Sequence, residues 1–142
     1  MIPTMKATIA LVFAALVLGA CNTTNPAPED LYGLWVNVDD GDGMVRAFEF
    51  ADSSEEAGLE GVSPVYRLYV YAELSDVVEV QRGSYDVVED HLVQTILWDV
   101  NTALVGQTFG NEIYGFNGRV LELESGSSAT GARNYESAEQ LP

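Results

Sequence analysis

From Leu31 to about Glu136 the apolar residues of this 142-residue chain recur mainly at every second position, as in Phe48-Glu49-Phe50 and Leu121-Glu122-Leu123-Glu124. Successive side chains of a strand point to opposite faces, so this alternation predicts half-buried β-strands with carboxylates on the outer side. Eight strands are expected, at residues 31–38, 44–50, 65–74, 77–88, 91–98, 110–116, 119–124 and 132–136, with almost no helix. Turn signals separate most neighbours: Asp39-Asp40-Gly41-Asp42-Gly43, Ser75-Asp76, Glu89-Asp90 and Asn117-Gly118. Short connections make sequential strands antiparallel, and closing the sheet on itself removes its edges. The predicted fold is therefore all-β: an eight-stranded antiparallel up-and-down meander closed into a barrel over residues 31–136, with 137–142 as a tail.

The same alternation assigns faces. Phe48, Phe50, Leu121 and Leu123 should point inward. Tyr66-Arg67-Leu68-Tyr69-Val70-Tyr71 can be read with either face buried; Leu68 and Val70 are preferred inside, with Tyr69 and Tyr71 at a rim or outside. Arg46 shares the parity of Phe48 and Phe50, and a buried arginine needs a partner, either an internal carboxylate or the acidic head of a bound lipid. Two longer connections, 52–64 and 99–109, interrupt the meander. The first carries Gly58, Gly61, Leu59 and Val62, which fits a flap over a barrel mouth or, equally, a disordered acidic excursion.

Ahead of the barrel, Lys6 precedes an uninterrupted apolar run from Ala7 to Ala20 that closes in small residues. That is the layout of an export signal. It is shorter than the roughly 20 residues a helix needs to cross a bilayer. Residues 1–20 are expected to be the signal peptide and residues 21–30, with two prolines and no periodicity, an extended tether. Leu18-Gly19-Ala20-Cys21 resembles the lipobox of bacterial lipoproteins. The resemblance implies that the thiol of Cys21, the only cysteine, is diacylglyceryl-modified, that the chain is cut before it, and that the new amino terminus is acylated, giving a lipid anchor in the cell envelope. Asn22 following the cysteine implies the outer membrane under the enteric sorting rule.

Composition narrows the partners. The formal net charge is −16, from 22 acidic and 6 basic residues, and loss of residues 1–20 removes the single lysine, Lys6. Such a surface repels phosphate backbones, so nucleic-acid binding is not expected. With no second cysteine, stability has to come from packing alone.

Within the barrel segment the chain is similar to the small bacterial lipocalin-like domains, a branch of the calycin type of barrel. The likeness is carried by Gly33-Leu34-Trp35, by Gly83-Ser84-Tyr85-Asp86-Val87 followed by Leu92, and by Leu121-Glu122-Leu123. It implies that Trp35 plugs the closed end of the barrel beneath an arginine, with Arg133 the best placed and Arg119 second. The chain departs from the family in its short first hairpin, its length and its lack of a disulfide.

Little in the sequence suggests chemistry. The acidic turn at residues 39–43 supplies carboxylates suited to Ca²⁺, but Phe50 stands where a bidentate glutamate would be required, and Asp and Gly are what tight turns select anyway. His91 is the sole histidine, which precludes a histidine cluster, and Ser84 lies in no nucleophile elbow. Neither an enzyme nor a cofactor or metal is expected. The expected function is a lipid-anchored envelope lipoprotein whose barrel binds a small apolar or amphipathic molecule, with Phe48, Phe50, Leu68 and Trp98 in the lining and Gly33, Trp35 and Arg133 in structural roles. The alternative is an envelope interaction protein with a solid barrel that engages another protein through its acidic exterior or long loops.

Overall fold

The computed structural model describes residues 23–37, 43–125 and 131–142. Cys21, with the rest of the export signal, and the acidic positions Asp39, Asp40 and Asp42 lie outside the described residues.

Eight strands run in chain order: β1 (Gly33–Asn37), β2 (Val45–Ala51), β3 (Val65–Tyr71), β4 (Val78–Val88), β5 (His91–Asp99), β6 (Thr108–Phe116), β7 (Val120–Glu124) and β8 (Ala132–Ala138). Each pairs antiparallel with the next, and β8 pairs back onto β1 through Leu34–Ala138, Trp35–Ser137 and Val36–Glu136, closing the barrel. The helical turns among the described residues are short 3-10 segments, Pro28–Leu31, Leu74–Asp76 and Thr102–Leu104. The predicted meander is therefore the observed one, with ends moved by a few residues; β6 starts earlier and β8 continues to Ala138. At the β6–β7 turn the Asn117 side chain accepts from the backbone of Arg119 and Val120, and Gly118 takes φ +86°, a conformation open to glycine.

One end of the barrel is plugged. Leu31, Trp35, Phe50, Tyr85, Phe116 and Leu121 belong to one buried cluster there. Two core aromatics fasten the 3-10 turn Pro28–Leu31 across this end: Trp35 Nε1 donates to the Leu31 carbonyl at 2.7 Å, and Tyr85 Oη donates to that of Pro28 at 2.7 Å. Both bonds leave an indole or phenol buried without an orphaned polar atom, which is how such rings enter cores. Upstream, the Thr23 amide donates to the Phe116 carbonyl at 2.8 Å, a bridge at the last residue of β6. Residues 23–31, which include the described part of the expected tether, residues 23–30, are thus docked on the plugged end.

The 52–64 connection joins β2 to β3 at this same end and is ordered. Leu59 is fully buried, Asp52 accepts from Tyr32 and Ser63, and Arg82 Nη1 donates to the Ala57 carbonyl at 2.9 Å. Glu56 lies 3.3 Å from Arg67 Nη2, and Glu79 ion-pairs with both Arg67 and Arg82 on the outer wall. The loop is fastened to the plugged end and its flank, so it is neither a flap over the interior cavity described below nor a disordered excursion.

Candidate functional site

Inside the barrel, between the plug and the end where β2 begins and β7 finishes, lies a cavity of about 270 Å³. Phe48, Leu68, Val70, Phe109, Leu123 and Tyr135 supply its apolar wall, one or two from each of five strands. Its polar lining consists of Arg46, Gln81, Gln94, Asn111, Glu124, Ser125 and Arg133. A wider groove of about 540 Å³ runs along the outside near Arg119, Val120 and Glu136, but no aromatic side chain lines it. The interior cavity is the better-built site, being concave and combining an apolar, partly aromatic wall with convergent polar groups.

The floor is aromatic. Phe48 and Phe50, two apart on β2, stack at 5.3 Å between centroids; Phe48 meets Tyr135 at 5.2 Å, and Phe50 meets Tyr85 edge-on at 4.8 Å. Phe48 and Leu68 therefore line the cavity as expected from strand parity, and Val70 joins them. Phe50 points inward too, but lies in the packed plug, so of this pair Phe48 is the one that reaches the cavity.

Trp98 is on the other face of the wall. A register shift between Arg82 and Gly83 pairs Gly83 with Ile96 but Arg82 with Trp98, so β5 has one extra residue there. Such a bulge reverses the alternation beyond it. Trp98 consequently packs outside beneath Arg82, whose guanidinium carbon lies 4.4 Å from the ring centroid, and Asp99 takes the inward position instead. The assignment of Trp98 to the lining is corrected by this bulge.

Arg133 also differs from its expected role. Trp35 does plug the closed end, 2% exposed, 5.8 Å from the Phe116 ring. Arg133, however, pairs with Leu123 and borders the cavity, whereas Ser137, four residues further along β8, pairs with Trp35. At about 3.4 Å per residue that separation is on the order of 14 Å along the strand, which puts Arg133 at the cavity end and away from the plug that holds Trp35. Gly33 begins β1 at φ +121°, which explains a glycine immediately before the plug.

Two glutamines, singled out by nothing in the sequence, face inward. Both amide atoms of Gln81 are paired: its Oε1 accepts from Tyr66 Oη at 2.7 Å and its Nε2 donates to Asp99 Oδ2 at 2.8 Å. Burial, and then the Asp99 charge, push the Tyr66 phenol well above its ordinary pKa, keeping it a donor. Gln94 is 0% exposed, yet neither its Oε1 nor its Nε2 has a hydrogen-bond partner. Strand parity predicts that position 94 shares a face with Leu92 and Ile96; that a polar residue there would be left unsatisfied only the packing reveals.

His91, at the exposed start of β5, contacts Asp90 at 2.7 Å between Nδ1 and Oδ1. Among the described residues no three His, Cys, Asp or Glu side chains are grouped as a metal site requires. Comparison with protein-family models, with curated proteins and with solved structures finds no match; the eight-stranded, closed antiparallel architecture is consistent with a lipocalin-like barrel.

Proposed function

We propose that this protein is a bacterial envelope lipoprotein, anchored through an acylated Cys21, whose barrel binds a small amphipathic anion non-covalently. The observation that carries the reading is the cavity lining. In a chain with 22 acidic and 6 basic residues, the cavity lining among the described residues includes two arginines, Arg46 and Arg133, together with Glu124, beside a wall of Phe48, Leu68, Val70 and Phe109. An acidic exterior and an arginine-bearing apolar interior together favour an anion with a hydrocarbon body inside the barrel. The volume, that of about nine liquid waters at roughly 30 Å³ each, suits a compact molecule and not a long acyl chain.

The anchor and the cavity are compatible in orientation. Thr23 is bonded to Phe116 at the plugged end, and two residues span at most about 7 Å. Lipid on Cys21 would hold the plug against the membrane and turn the cavity end away from it.

Calorimetric titration of octanoate into the mature protein in phosphatidylcholine nanodiscs, with empty nanodiscs as blank, tests the binding. Saturable one-to-one binding is expected, weakened about tenfold by Arg133→Gln, the lower end of the value of a hydrogen bond to a charged group. It should be lost in Leu68→Trp, which fills the cavity. Binding that survives Leu68→Trp would place the ligand elsewhere. Loss of radiolabelled palmitate incorporation in Cys21→Ala tests the anchor separately; retained label would refute it.

A further inference from the structure

Glutamine 94 sits midway along β5, opposite Tyr85 of β4 and Phe109 of β6, with fully buried Leu92 on one side and nearly buried Ile96 on the other. Its carboxamide offers one acceptor with two lone pairs and two donor hydrogens. All are idle in the protein as it stands, although the residue is 0% exposed and borders the cavity. Burying donors and acceptors without partners destabilises the fold. A methionine would fill the same volume without that penalty. Gln81, on the neighbouring strand, has both of its amide atoms paired, through Tyr66 and Asp99. Of the two inward glutamines, both of which border the cavity, Gln94 is the one whose amide no protein group pairs.

We infer that the cavity's occupant carries, besides its anionic end, a neutral group that both donates and accepts hydrogen bonds and docks on the Gln94 carboxamide. This deepens the proposed binding of an amphipathic anion and rests on that reading. The ligand class it defines is a short carboxylic acid bearing an internal amide or hydroxyl, as in N-acyl amino acids and hydroxy acids. A secondary amide meets Gln94 with one N–H and one C=O, so both idle atoms are paired at once. A plain fatty acid of the same length places methylenes there and leaves both atoms unpaired.

Two acids with nine-atom backbones separate these cases: N-hexanoylglycine, with an amide in its chain, and nonanoate, without one. The mature protein in nanodiscs should bind N-hexanoylglycine about tenfold more tightly than nonanoate, the value of two net hydrogen bonds of ~0.5–1 kcal/mol each. Gln94→Met should abolish or reverse that preference. The same substitution should raise the melting temperature of the ligand-free protein by several degrees, because it removes a buried polar group that nothing pairs; Gln94→Leu repeats the measurement should the methionine variant not fold. Equal binding of the two acids, unchanged by Gln94→Met, overturns the role of Gln94 and leaves the cavity reading intact. Binding of neither acid overturns both. A melting temperature lowered in both variants would show that ordered water or another group already pairs the amide, and would overturn the inference by itself.

Discussion

Gly83 gives the sharpest test of how this barrel is built. It faces inward on β4 beside the bulge, opposite Tyr66 on β3 and Ile96 on β5. A Cβ placed on it would lie 1.9 Å from the Thr95 carbonyl oxygen and 3.1 Å from the Tyr66 ring edge. The first of these is backbone, so no rotamer change relieves it. Gly83→Ala must push β4 and β5 apart where the bulge already weakens the ladder. Overpacking at about 3 kcal/mol, with loss of one ladder hydrogen bond at about 1 kcal/mol, gives a destabilisation of about 4 kcal/mol. For a domain of this size that is on the order of 15 °C in melting temperature. Gly110→Ala is the control, because a Cβ there meets only the His91 and Val93 side chains, at 3.7 Å and beyond. It should move the melting temperature by less than about 4 °C, and upward if at all, through a less flexible unfolded chain. Differential scanning calorimetry of the two variants decides the matter. A Gly83→Ala protein that melts within about 4 °C of the parent would refute the close approach of β4 to β5 at the bulge.

The plug and the alkaline limb of stability give two more tests. Trp35→Phe removes the donor to the Leu31 carbonyl and should lower the unfolding free energy by about 2–4 kcal/mol in urea titrations, the cost of an unpaired buried acceptor plus lost packing; a change below about 1 kcal/mol would mean the bond does not hold the plug. Burial, and then the Glu49 charge, push the Tyr69 phenol up to about 12, and burial raises Tyr66 and Tyr85 as well. Above the ordinary tyrosine value the unfolded chain has lost these protons while the folded chain keeps them. Stability should therefore be level below about pH 10 and fall as pH rises towards 12. Urea midpoints measured across that range, with Tyr69→Phe showing a shallower decline, check the sign; a midpoint that rises with pH would contradict it.

Much of this molecule is legible in its sequence because strand alternation is a local property. Phe48-Glu49-Phe50 and Leu121-Glu122-Leu123-Glu124 can bury their apolar side chains together only as strands, and brief turns leave those strands little choice but antiparallel neighbours. The meander and the inward placement of Phe48, Leu68 and Val70 followed from that, whereas Trp35 at the closed end was implied by the resemblance to lipocalin-like domains. What failed or stayed hidden depended on residues distant in the chain. A single extra residue in β5 moved Trp98 to the outside beneath Arg82, and nothing local in Leu97-Trp98-Asp99 marks it. The position of β8 against β1 sent Arg133 to the cavity and away from Trp35. Loop 52–64, rich in acids and glycine, is ordered because Arg67 and Arg82, on strands beyond it, hold it. Above all, Gln81 and Gln94 are the same residue type on adjacent strands, and only the packed barrel gives one two partners and the other none. Alternation of side chains is written residue by residue, whereas register, bulges and the satisfaction of buried polar atoms are set when strands meet, so the first is fixed along the chain and the rest in three dimensions.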